Sequence, residues 1–149
     1  MTAFKHFSEM DAWRVAKDIA LAVHRLCGSA SLCQEYWIIN QARRSALSIS
    51  CNIAEGFGRG GDCEFARFLD IARGSAAELS SLLILIGELV PELAEQTDII
   101  ARDVERVQVM IAKLTSYLRG RARESYDSYS TIAPSGRPDD RTTGRPDDL

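Results

Sequence analysis

No stretch of this sequence stays apolar long enough to cross a bilayer. The longest such run is Leu82 to Gly87, far short of the roughly 20 residues that a membrane-spanning helix needs, and the N-terminus shows no signal-peptide pattern. A cytoplasmic protein without a membrane partner is expected. The cysteines Cys27, Cys33, Cys51 and Cys63 form no CxxC pair, so reduced thiols are expected in a chain large enough to fold without disulfides. His24 and Cys27 lie three apart, but no further ligands follow at zinc-site spacing, and neither metal nor cofactor is expected. Positive charge is not in excess either. The 18 basic and 21 acidic side chains leave a net charge of −3, which argues against a sequence-wide attraction to phosphate and leaves room for local basic patches. No segment alternates convincingly with period two, so no sheet is expected.

What the sequence does contain is helical periodicity within a globular composition, 46% hydrophobic and 26% charged. Ser8 followed by Asp11 resembles a capping box, and Trp13, Ala16, Ala20, Val23 and Cys27 then recur at three-four spacing to a stop near Gly28. A second stripe, Ile39, Ala42, Ala46, Ile49 and Ile53, predicts a helix from about Leu32 to Glu55, ended by the glycines at 56, 58, 60 and 61. Asp62 is positioned to cap a third and longest helix, with Phe65, Phe68, Ala72, Ser75, Leu79, Leu82, Ile86 and Leu89 on one side and Pro91 beyond its end. The fourth carries Ile100, Val104, Val107, Ile111, Leu114 and Leu118, with Arg119, Arg121 and Arg123 complementing the C-terminal dipole.

Short connections between long helices favour antiparallel neighbours, so the expected fold is all-α, an up-down left-handed four-helix bundle. Residues 1–124 are assigned to the bundle. Residues 125–149 read as a flexible polar tail in which GRPDD occurs twice, since such a composition buries too little apolar area to offset ordering entropy. A short binding motif in the repeat is the alternative, and Tyr126 and Tyr129 are candidates for docking onto the bundle.

Leu82 to Ile86 are all apolar, so this part of the third helix is greasy around its circumference. A single bundle leaves one side of each helix wet. Leu83, Ile84 and Leu85 are therefore candidate oligomer-interface residues, the alternative being a patch covered by the tail or the following loop.

Three constellations bear on chemistry. The glycine-rich stretch from Glu55 to Gly61 precedes a helix N-terminus, where N–H groups beside Arg59 can hold an anion. It follows a helix instead of a strand and lacks the Lys-Ser/Thr of a P-loop, so a hairpin connection is the plainer reading. Asn52, Glu55, Gly56 and Glu78 flank that hairpin and read as a structural hydrogen-bonded motif, because no nucleophile-base-orienter set accompanies the carboxylates. Arg43, Arg44, Arg59, Arg67 and Arg73 are candidate nucleic-acid-binding residues, weighed against ion pairing with the interspersed Glu64, Asp70 and Glu78.

The run Ser48-Ile-Ser-Cys-Asn-Ile-Ala-Glu-Gly-Phe-Gly-Arg59, followed by Phe68-Leu-Asp-Ile-Ala-Arg-Gly-Ser-Ala-Ala-Glu-Leu79, resembles the signature of four-helix-bundle proteins encoded in intervening sequences of bacterial large-subunit ribosomal RNA genes. Gln41-Ala-Arg-Arg44 and Phe7 to Ala16 are also similar to that family, and the resemblance spans roughly residues 4–120. Ser50 and Cys51 depart from the family's common proline and serine, which weakens any kink in the second helix. The resemblance implies a homo-oligomer, a ring-like pentamer, without enzymatic activity. A related branch looks like accessory proteins of diversity-generating retroelements, basic pentameric barrels that bind a reverse transcriptase and nucleic acid. The expected function is thus a non-enzymatic accessory or scaffold with RNA, DNA or a nucleic-acid-processing protein as partner. The alternative is a protein–protein interaction module that binds no nucleic acid.

Overall fold

The computed structural model describes residues 4–132, with side chains through Tyr129. Four helices, α1 (Asp11–Leu26), α2 (Tyr36–Gly58), α3 (Asp62–Leu89) and α4 (Ala94–Ile132), are joined by short connections, and no strand occurs among the described residues. Each helix packs against its neighbours in chain order, and α4 closes back on α1. The three-four stripes meet in one core. Ala16 and Val23 of α1, Ile39, Ala42, Ala46, Ile49 and Ile53 of α2, and Val104, Val107 and Ile111 of α4 are all buried, as their spacing predicts.

On α3 the stripe is rotated by one residue over its first turns. Ala66 and Leu69 are buried, whereas Phe65 and Phe68 are only partly covered. Gly56 of α2 approaches α3 closely at this level: a Cβ at position 56 would stand 2.7 Å from Phe68 Cβ and 2.8 Å from Phe65 Cδ2. The two helices touch through a glycine, and the rings splay to either side of it.

Several helix ends differ from the periodic reading. Ser8 does not cap α1; it sits in a short 3₁₀ turn, Phe7–Glu9, bonded to His6 Nδ1 at 2.8 Å, and the N-cap is Met10. Helix α2 starts at Tyr36 instead of Leu32, because Ala30–Leu32 form a 3₁₀ turn that plugs fully buried Leu32 into the core. Gly56 and Gly58 remain helical, and the chain reverses at Gly60, whose φ of +76° is costly for other residues. Gly61, not Asp62, is the N-cap of α3. The longest helix is α4, at 39 residues against 28 for α3. Expecting the bundle to end near residue 124 followed the polar composition of the residues beyond it, but a helix propagates past its packing partners once its earlier turns are fixed. Residues 125–132 are therefore helical, and the two GRPDD repeats lie outside the described residues.

Candidate nucleic-acid interface

All five candidate arginines are exposed, but their surroundings divide them. Three are engaged by carboxylates of their own helix or hairpin. Arg59 meets Glu55 at 2.7 Å and lies 5.3 Å from the Phe68 ring centroid, Arg67 meets Glu64 at 3.6 Å, and Arg73 meets Asp70 at 3.8 Å. Asp70 also accepts from Arg119 of α4. Such surface pairs contribute little to stability; their consequence is that each arginine presents a half-neutralised charge. The Glu55 hydrogen bond, with that carboxylate's charge, raises the Arg59 pKa further, so its proton is never in question.

Arg43 and Arg44 have no such neighbour: among the described residues neither forms an ion pair. Seven residues earlier on α2 stand Tyr36 and Trp37, 69% and 62% exposed. Two helical turns bring a residue back to the same face, so each arginine shares its face with an exposed aromatic ring. Trp37 is steadied by donating from Nε1 to Glu35 at 2.8 Å. Uncompensated cations interleaved with exposed rings are the groups that hold phosphates and stack bases in single-stranded nucleic acid. The aromatic half of this patch was missed from sequence, although the seven-residue spacing was visible there.

Arg43 also reaches toward α1. Its charge opposes the burial that raises the Cys27 thiol pKa, and Cys27 Sγ lies 4.0 Å from the Ile39 carbonyl. His24 is exposed while Cys27 is buried, so the pair does not converge on a shared ligand position. Among the described residues no group of three or more His, Cys, Asp or Glu gathers at metal-binding distance.

The polar groups around the α2–α3 hairpin are separated by the fold into local contacts. Asn52 Nδ2 donates to the Ser48 carbonyl at 2.8 Å and to Ser48 Oγ at 3.0 Å, and Ser48 Oγ meets Ser75 Oγ at 2.8 Å across the helices. Glu78 accepts from Gln41, and Glu55 accepts from Arg59. Glu78 thus lies level with Gln41 of α2, fourteen residues and about 21 Å along the axis from Glu55. Two carboxylates that far apart cannot act on one substrate atom as acid and base. The network bolts α2 to α3 through Gln41, Ser48 and Ser75, with Gly56 supplying the close approach.

Of the two readings of the glycine-rich stretch, the geometry favours the hairpin connection over an anion site. Gly56 and Gly58 are spent inside α2, Arg59 is held by Glu55, and the first turn of α3 carries Asp62 and Glu64. Those carboxylates already complement the positive end of the helix, and a further anion would meet their repulsion. Of the three residues proposed for self-association, Leu83 is 1% exposed within a single chain, whereas Ile84 and Leu85 are 62% and 45% exposed. Leu83 belongs to the monomer core. No described helix is long and apolar enough to cross a membrane.

A comparison with curated proteins gives no match. The family comparison does, and it covers α1, α2, α3, the Asn52–Gly56 hairpin motif and half of α4: the chain belongs to the 23S rRNA-intervening sequence protein family, whose model it matches over residues 8–113.

Proposed function

We propose that the protein is a non-enzymatic, cytoplasmic accessory or scaffold that self-associates and binds nucleic acid through α2. The observation that carries the binding reading is the face bearing Tyr36, Trp37, Arg43 and Arg44, whose two cations form no ion pair among the described residues, in a chain that is acidic overall. A local patch of this kind offers phosphate contacts without a positive net charge. Arg59, Arg67 and Arg73 add weaker, partly neutralised charge around the hairpin.

The cross-links between helices support an antiparallel up-down arrangement. Gln41 meets Glu78 and Ser48 meets Ser75, while Asp62 meets Arg121 and Asp70 meets Arg119, so residue numbers rise on one helix as they fall on the next. Left-handed packing near +20° follows from the three-four stripes. Ile71, Leu85 and Leu89, each more than 40% exposed on one side of α3, give the surface for lateral self-association, with Ile84 adjoining. A homopentameric ring is the assembly we favour, on the family resemblance.

The test is binding of the purified protein to single-stranded RNA, structured RNA and duplex DNA at low and near-physiological salt, read by anisotropy and by tryptophan fluorescence, with a Trp13→Phe variant to isolate Trp37. Arg43→Glu combined with Arg44→Glu should weaken binding and reduce the duplex salt slope by about 1.8, two phosphate contacts at 0.9 each. Unchanged affinity in that variant would remove the patch. Absence of wild-type binding even at low salt would leave the reading of a protein–protein interaction module.

A further inference from the structure

Helix α4 outlasts its neighbours. Arg121 Nε lies 3.3 Å from the carboxylate of Asp62, the first residue of α3, so the turns after Arg121 project beyond the end of α3. Residues 122–132 continue the helix, an overhang of about 16 Å at 1.5 Å per residue. Its residues are not patterned at random. Leu118, Ala122, Tyr126 and Tyr129 follow one another at spacings of four, four and three, so the buried stripe of α4 runs on past the core. Tyr126 and Tyr129 thus stand on the side of α4 that faces the bundle axis, yet they are 74% and 76% exposed.

The same end of the bundle is hollow. A cavity of about 390 Å³ opens there, walled by Phe4, Phe57, Phe65 and Tyr117, with the Asp62–Arg121 pair alongside. That volume is in the range of small-ligand pockets. The chain cannot fill it with its own tyrosines. Tyr126 and Tyr129 are about 7 and 12 Å past Arg121 on one continuous helix, and that helix leads away from the cavity it lines.

A second copy approached end to end resolves both features together. One twofold axis between two bundle ends lays each overhang beside the other copy, and each molecule then gives one tyrosine stripe and receives one. Such an exchange is self-complementary and closes at two. We propose that the α4 overhang is a head-to-head docking element that seats Tyr129 in the aromatic cavity of a second copy. This contact involves the end of the bundle, not the lateral face of α3, so either can exist without the other.

The geometry is tested in the full chain by Tyr129→Cys under mild oxidation. Cys63, exposed and next in sequence to Asp62 of the cavity wall, is the native thiol taken as the partner. The expected product is a disulfide-linked dimer joining the introduced thiol to Cys63, lost when Cys63→Ser is added. A link within one chain, or to another cysteine, or none, overturns the proposal. A second variant, Tyr126→Asp with Tyr129→Asp, should halve the mass measured by light scattering while leaving the far-ultraviolet circular dichroism unchanged. The factor of two is taken relative to whatever lateral assembly exists, and an unchanged mass overturns the proposal as well.

Discussion

Gly56→Ala probes the contact between α2 and α3 most directly. The added methyl would lie 2.7 Å from Phe68 Cβ and 2.8 Å from Phe65 Cδ2, both well inside carbon–carbon contact. Because the Phe68 atom is a Cβ, rotation of that side chain cannot relieve the clash, and α2 and α3 must separate. Overpacking of this kind costs about 1–3 kcal/mol. Against it stands the helix preference of alanine over glycine, about 1 kcal/mol. Gly120, inside α4 with nothing within 4 Å of the place an added methyl would take, isolates that second effect. Gly120→Ala should therefore stabilise the protein by up to about 1 kcal/mol, and Gly56→Ala should fall below it by about 1–3 kcal/mol. Urea unfolding followed by circular dichroism, at one fixed protein concentration because association adds its own stability, measures both. If Gly56→Ala is as stabilising as Gly120→Ala, the helices do not touch through this glycine and the account of the hairpin fails.

Neighbouring positions on α3 should separate folding from assembly. Leu83→Glu buries a carboxylate in the monomer core and should cost more than about 4 kcal/mol, seen as lost circular dichroism, whereas Ile84→Glu with Leu85→Glu should leave the helices intact and lower the light-scattering mass. Cys27 gives a pH dependence. Burial holds its thiol pKa above the ordinary 9.0, so the folded state keeps a proton that the unfolded chain has already released, and this contribution is intact below pH 9 and lost as pH rises beyond it. The urea midpoint should therefore fall less steeply between pH 8.5 and about 10.5 in Cys27→Ala than in wild type, and parallel curves would refute the assignment.

Much of the architecture was legible because burial and helical period are coupled. Ile39, Ala42, Ala46, Ile49 and Ile53 could be placed on one face from their spacing, since only one side of α2 reaches the core, and the same holds for Ile100 to Leu118 on α4. Helix ends were less legible. Ser8 and Asp62 are residue types that cap helices, but capping depends on where the chain turns: the 3₁₀ turn Phe7–Glu9 moves the cap of α1 to Met10, and the reversal at Gly60 leaves Gly61 as the cap of α3. The candidate site was readable only as a set of residue types. Five arginines look alike in sequence; ion pairing depends on side chains three, four or many residues away, and of these five Arg43 and Arg44 have no ion pair among the described residues.

By itself, then, the sequence determined that four amphipathic helices share one core and where α2 and most of α4 bury their stripes, because local periodicity and apolar burial require nothing beyond the chain order of residues. On α3 the first turns are rotated from the expected stripe. Tertiary structure decided what depends on the approach of distant segments. It placed Leu83 inside and Ile84 outside, put Gly56 against two phenylalanines, parted Glu55 from Glu78, and carried α4 past Arg121. Each of these is a matter of register between helices, and register is set by the packing of whole faces, a quantity no single stretch of sequence contains.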